Sequence, residues 1–198
     1  MSRAERDAGR RQRLLDAGLQ LFATTGYMAT TVQGLCREAG VSSRSFYDYF
    51  SSRQELLEAL YVLSAQDIET RLKGLQIASG DTVEDVILRG VHASVGPMLE
   101  DERLGRVVEI ESVGVSPALE TRRREMNARI AGAIDAMLLE LMRRGLIREF
   151  PIGLVGLMIV GGMTEALIAH LSKPESERPQ SLDFVTDMAH VIVRIAVA

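Results

Sequence analysis

Gly26, Gly40 and Ser52 cut the start of this chain into three helical pieces of unequal length. Leu14, Leu15, Ala17, Leu19, Leu21 and Phe22 keep helical spacing and stop before Gly26, a residue able to take a left-handed cap. The second piece starts at Thr30-Thr31 and ends at Gly40. Thr30 with Gln33 has capping-box spacing, and Thr31 is equally placed to be the N-cap. Gly40-Val41-Ser42 turns tightly into the third piece, and Ser52-x-x-Glu55 is a clearer capping box opening the next helix. Pieces of about 19, 9 and 7 residues around such a turn are what a helix-turn-helix needs.

The stretch SSRSFYDYFSSRQEL (Ser42–Leu56), which contains the third piece, holds Phe46, Tyr47, Tyr49 and Phe50, four of the nine aromatic residues in the chain. At about 100° per residue Phe50 falls about 40° from Phe46, so both phenylalanines face inward. Arg44 and Asp48 point outward, with Ser43 and Tyr47 on one flank and Ser45 and Tyr49 on the other. In a major groove this helix would carry Ser43, Arg44 and Ser45 to base edges and Tyr47 and Tyr49 to phosphates. Thr31 and Gln33 at the start of the preceding helix, and Arg53 at the start of the next, are also positioned for phosphate, since helix N-termini favour anions.

Charge supports this reading once its distribution is considered. The chain of 198 residues has a net charge of −4. Residues 1–53 hold eight arginines (Arg3, Arg6, Arg10, Arg11, Arg13, Arg37, Arg44, Arg53) against five acids, so a basic head precedes an acidic body. The polar N-terminus shows no secretory signal, and the single Cys36 rules out an internal disulfide; a cytoplasmic protein is expected. Cys36 reads either as a small buried residue or as an oxidation sensor, the latter requiring an exposed, low-pKa thiol. The apolar run Ile152–Met163 is short of the roughly 20 residues that span a bilayer.

Strand alternation is nearly absent, and breaks at Gly80-Asp81-Thr82, Gly96-Pro97, Pro117, Gly145 and Pro151 separate further helices. These run from Ser52 to about Leu75, Thr82–Val95, one over Met98–Ser112, Pro117 to near Gly145, Pro151–Leu171 and Leu182–Val197. The expectation is an all-α chain of nine helices, with a three-helix helix-turn-helix DNA-binding domain over 1–53 and a six-helix ligand-binding and dimerisation domain over 54–198. An enzyme is disfavoured. HASVG misses the Gly-x-Ser-x-Gly elbow at its first position, no phosphate loop or HExxH occurs, and His92, His170 and His190 lack metal-ligand spacing. No cofactor is expected.

The stretch GYMATTVQGLCREAGVSSRSFYDYFSSRQELLEAL (Gly26–Leu60) closely resembles the N-terminal signature of the TetR family of bacterial transcription regulators. The family pattern runs Gly-Tyr, two threonines, a short helix, Ala-Gly-Val-Ser, a Tyr-x-x-Phe recognition helix and a Ser-Lys-Glu-like cap. The resemblance implies DNA contacts at Thr31, Gln33, Ser42, Ser43, Arg44, Ser45, Tyr47, Tyr49 and Arg53. Two positions depart from the pattern. Arg44 stands where glycine is usual, and can either read guanine or fold back on Asp48. Arg53 replaces lysine, which keeps a phosphate contact but prefers forked geometry.

A DNA-binding head calls for a body that dimerises it and senses something. Small residues on the apolar helix after Pro151, together with the last helix, suit a four-helix interface across a two-fold axis, as the resemblance also implies. Its expected residues are Gly156, Ile159, Gly162, Met163, Ala166, His170, Met188, Val191 and Ile195. Polar or soft residues inside apolar helices, Tyr61, His92, Met98, Glu109 and Glu165, are pocket candidates, although packing is the commoner role for such residues. The function expected is a homodimeric repressor released from a palindromic operator on double-stranded DNA by a small-molecule effector. The alternative is a regulator that works without a ligand or needs a co-ligand, acting as activator or structural DNA-binding protein.

Overall fold

The computed structural model describes the backbone of residues 3–197 and the side chains of residues 7–195. Arg3 and Arg6 of the basic head therefore lie outside the described side chains. Among the described residues the chain is helical with no strand: α1 (Arg3–Thr25), α2 (Val32–Ala39), α3 (Ser43–Tyr47), α4 (Arg53–Gly74), α5 (Val83–Glu100), α6 (Glu102–Gly105), α7 (Pro117–Arg143), α8 (Leu154–Leu171) and α9 (Ser181–Val197). A π-helical turn over Arg106–Glu111 continues α6, and a 3-10 turn over Glu175–Glu177 precedes α9.

The residues fall into two compact units. The first takes in the chain up to Ser64 together with Arg103–Thr121, and the second joins Ala65–Glu102 to the chain from Arg122. In the first unit Leu14, Phe22, Leu35, Phe46, Leu56 and Leu57 are buried in one core, joined by Val107 and Leu119 from the later segment. Gly18 on α1 lies close against α4, and a Cβ there would displace the Leu56 side chain. In the second unit Ile87, Val91, Ile134, Leu138, Leu141 and Leu167 are buried.

Local signals set most helix ends. Gly40 closes α2 at φ +62°, a left-handed value that glycine adopts without strain. Thr31 is the N-cap of α2, with its Oγ1 accepting the Gly34 N–H at 3.1 Å. Thr30 is buried instead and donates its hydroxyl to the Gly26 carbonyl at 2.8 Å, so the Thr30–Gln33 box does not form. At α4 the box is half made. Ser52 Oγ accepts the Glu55 N–H, whereas the Glu55 carboxylate turns to the N–H and hydroxyl of Ser51, both at 2.6 Å. These two bonds, the hydroxyl first, hold the Glu55 carboxyl below its ordinary value.

Three expected boundaries shift. The fifth helix runs through Gly96-Pro97 to Glu100: proline forfeits one backbone bond, but Val95, Met98 and Leu99 are buried and packing carries the helix past it. The helix expected over residues 98–112 is divided between the end of α5, the single turn of α6 and the π turn. The apolar helix begins at Leu154, not Pro151. Asp135 of α7 accepts the N–H groups of Gly153 at 3.1 Å and Gly156 at 3.0 Å, which supplies from outside the cap that Gly153 cannot make.

Candidate nucleic-acid interface

The short helix α3 is held to the first unit by its aromatic pair. Phe46 and Phe50 are buried with ring centroids 6.0 Å apart, and Arg11 of α1 lies 5.5 Å over the Phe50 ring. Tyr47 stands edge-on to Phe46 at 5.4 Å and leaves 58% of its surface exposed. Ser42 caps the helix, its Oγ accepting the Ser45 N–H at 3.1 Å. Anchored in this way, α3 presents Ser43, Arg44, Tyr47 and Asp48 to solvent.

The flanks differ from each other. Tyr49 is half-buried and its hydroxyl donates to Asp7 of α1 at 3.3 Å, so the second tyrosine braces α3 against α1. Among the described residues no ion pair joins Arg44 to Asp48, and both side chains are exposed. Ser45 is half-buried, with an oxygen shielded from solvent and without a hydrogen-bond partner.

On the neighbouring elements Thr31 and Gln33 are exposed at the start of α2. The Thr31 oxygen accepts from Gly34, and its proton is left to donate outward. Arg53 is committed within the unit. Its Nη1 donates to the carbonyls of Tyr27 at 3.0 Å, of Met28 at 3.1 Å and of Thr30, and the guanidinium stacks 4.6 Å over the Tyr27 ring. On the other side of the same loop the Tyr27 N–H donates to Glu111 of the π turn at 2.6 Å. The loop that delivers Thr31 is thus held by a cation on its carbonyls and a carboxylate on an amide. Spacing alone pointed to neither Glu111 nor Asp7, whose partners lie 84 and 42 residues away.

The five pocket candidates are not gathered in one cavity. In the second unit His92 and Glu165 are exposed and Met98 is buried, while in the first Tyr61 is buried and Glu109 half-buried. The second unit has an apolar void of about 20 Å³, the size of a single water, walled by residues that include Leu72, Gly90, Ser94, Met137, Ile159 and Met163; none of the five lines it.

The expected dimer residues divide as well. Gly156 is packed against the Ala131 carbonyl and Asp135, Met163 is buried, and His170 is buried with its ring stacked 4.3 Å from Phe184. These three face the interior of their own unit. Ile159, Ala166 and Met188 are half-buried, and Gly162, Val191 and Ile195 are exposed. Sequence spacing did not single out Leu154, Leu157, Met158 and Leu182, which are exposed by half or more. The helix α8 is 18 residues long and apolar enough by composition to cross a membrane, with a third of its residues buried in the chain. Among the described residues no group of three or more His, Cys, Asp or Glu could hold a metal ion.

Three helices, the third short and outward-facing and fixed by two buried phenylalanines, define a helix-turn-helix fold. Residues 14–60 match the family described as bacterial regulatory proteins, tetR family. The chain is 34% identical over 76 residues to an uncharacterized HTH-type transcriptional regulator, YvkB, of Bacillus subtilis, a match covering 38% of this chain and 39% of YvkB. It is 40% identical over 53 residues to the HTH-type transcriptional repressor KstR2 of Rhodococcus jostii, covering 27% of this chain and 26% of that one. The chain thus matches these relatives over well under half of their length. Its fold is shared with the transcriptional regulator FadR of Bacillus subtilis, solved in complex with stearoyl-CoA. That likeness has a TM-score of 0.78 at 19% identity over 92% of this chain and 97% of FadR.

Proposed function

We propose that this chain is a sequence-specific DNA-binding transcriptional regulator, a homodimeric cytoplasmic repressor that leaves a palindromic operator when a small molecule binds, and not an enzyme. The observation that carries the reading is α3. Its buried Phe46 and Phe50 fix a helix whose outer face offers Ser43, Arg44 and Tyr47. Arg44, with no ion pair to Asp48, acts on a base edge in the major groove, while Thr31, Gln33 and Tyr47 hold phosphates. Arg53 serves DNA indirectly, by holding the loop before Thr31.

Dimerisation is supported by the apolar residues that α8 and α9 leave exposed, Leu154, Leu157 and Met158 on one and Leu182, Val191 and Ile195 on the other. Such a surface needs a cover, and a second copy supplies an identical one. The effector we infer carries a long acyl chain. The FadR structure that shares this fold holds stearoyl-CoA, and the void of the second unit has apolar walls with two flexible methionines, Met137 and Met163, that can part to admit a chain.

The test is binding to the DNA flanking the gene for this protein, by fluorescence anisotropy at about 150 mM salt with excess random competitor. A regulator of this type reaches about 10 nM or tighter there, against micromolar or weaker for random DNA. Stearoyl-CoA is then titrated into the complex, with free CoA as control. Release by the acylated compound alone supports the effector. Absence of tight binding both there and after selection from a random DNA library sinks the regulator reading.

A further inference from the structure

Beside α3 the first unit opens a polar cleft of about 370 Å³, between the N-terminal half of α1 and the α2–α3 turn. Arg10 and Arg13 reach it from α1, Ser42 from the turn, and Arg44, Ser45 and Asp48 from α3 and its cap. Three guanidinium groups meet one carboxylate in its wall, so the cleft is cationic. Arg13 is oriented by its own backbone contact, Nε donating to the Ala39 carbonyl at 3.1 Å at the end of α2. Arg10 pairs with Asp7 at 3.4 Å, and both of these side chains are nearly half exposed, a pairing that solvent weakens. The Ser45 oxygen, without a partner in the protein, is a buried polar group that an occupant of the cleft can satisfy when the side chain turns about χ1.

We propose that this cleft seats a backbone phosphate of DNA, making α1 a second clamp beside the base-reading helix. Guanidinium forks match phosphate oxygens in charge and geometry, and the serine hydroxyls supply further donors. Arg10 and Arg13 stand three residues apart on one face of α1, so a single phosphate is met from one side by that face and from the other by Ser42 and Ser45. Arg44 shares the cleft wall with them, which couples the register of the backbone to the side chain that reads a base. The seat carries no sequence information of its own and fixes where α3 lies in the groove.

The inference rests on the regulator reading, and one experiment separates the two. Affinities of the full-length protein for its operator and for random DNA are measured between 50 and 200 mM salt, for wild type, R10Q and the R10Q/R13Q double variant. Each phosphate neutralised contributes about 0.9 to the slope of log affinity against log salt. The variants are expected to bind both DNAs more weakly by the same factor, with wild type and double variant converging about 3.5-fold over that salt range. Because Arg13 also holds Ala39, R10Q alone, which touches only an exposed pair, repeats the result if the double variant melts early. Slopes equal to wild type, or a loss confined to the operator, overturn the seat. Wild type that binds neither DNA removes the regulator reading and the seat with it. Replacing chloride with inorganic phosphate at constant ionic strength tests the source of the anion. A phosphate-specific release that needs Arg10 is displacement of the DNA phosphate from the seat and supports it, whereas phosphate bound through Arg10 with DNA affinity unchanged assigns the cleft to a free anion and overturns the backbone assignment.

Discussion

The guanidinium of Arg53 lies 4.6 Å above the ring of Tyr27 and donates to the carbonyl of the same residue at 3.0 Å. One side chain at the start of α4 thereby fixes the conformation of the loop between α1 and α2, and with it the angle at which Thr31 and α2 leave the loop. Lysine, the usual residue of the family at this position, has no planar fork to stack on the ring and serve several carbonyls at once.

Arg53→Lys is therefore expected to lower stability by about 1–2 kcal/mol, the worth of charge-assisted bonds at a partly buried site. It should weaken operator and random DNA alike, since the loop and not a base contact is loosened. Denaturant melts and anisotropy on the two DNAs check this. A variant as stable as wild type would show that the stacked fork contributes nothing.

Arg44 and Tyr47 are both exposed, and the proposed reading gives them different roles. Arg44→Ala should cost about 1–3 kcal/mol of operator affinity and relax specificity at one base pair. Tyr47→Phe removes the hydroxyl proposed to meet a phosphate and should weaken all sequences equally. Binding to a panel of single-base operator variants separates the two patterns.

The local parts of this interface were legible because their signals are local. Gly40 at a left-handed turn, Ser42 as cap and Phe46 with Phe50 four residues on are fixed by spacing along one helix or turn, and the structure has each of them. Contacts over long separations were not legible. Nothing near Glu111 marks it as the acceptor for the Tyr27 N–H, and nothing near Asp135 marks it as the cap of α8. The charge of Arg53 is plain in the sequence, but the three carbonyls that it serves are not. In the same way periodicity marks α8 as apolar without saying which apolar residues turn inward, so Gly156, Met163 and His170 could not be told from Leu157 and Met158.

Asp135 is 7% exposed and takes two amides at the start of α8, where α7 and α8 approach closely enough that Gly156 tolerates no Cβ. Asp135→Ala leaves both amides without an acceptor and should cost about 1–3 kcal/mol. Asp135→Asn keeps one carbonyl oxygen and should cost less. Urea melts followed by circular dichroism give both values, and equal losses would show that shape rather than hydrogen bonding matters there.

His170 makes stability depend on pH. Burial first, then the nearby positive charge of Arg178, with Lys173 adding a little, push its pKa below the ordinary 6.5, while Glu102 opposes them. The unfolded chain therefore takes up a proton at His170 that the folded chain refuses. Stability is full above pH 6.5 and falls as pH drops below it, until the folded histidine itself protonates. The paired carboxylates Glu55 and Glu69 are shifted down from 4.5 and act only at lower pH, so the window from about 6.5 to 5 belongs to histidine. His170→Phe, which preserves a ring against Phe184, should flatten the melting temperature across that window. An undiminished slope would assign it to another group.

The exposed faces of α8 and α9 give the last expectation. Met158 and Val191 are 66% and 59% exposed, so a charge placed at either is solvated in a single chain and should leave its fold unchanged. Buried between two copies, the same charge has no counter-ion and costs several kcal/mol, twice over in a two-fold interface where each residue appears on both sides. Met158→Glu and Val191→Glu, made separately, should each halve the mass found by analytical ultracentrifugation while leaving helical content and single-chain melting intact. Operator binding should then weaken far more than random-DNA binding, because only two linked heads gain from two half-sites one helical turn apart. If both variants keep the mass of the wild type, the apolar faces of α8 and α9 are not what joins the copies.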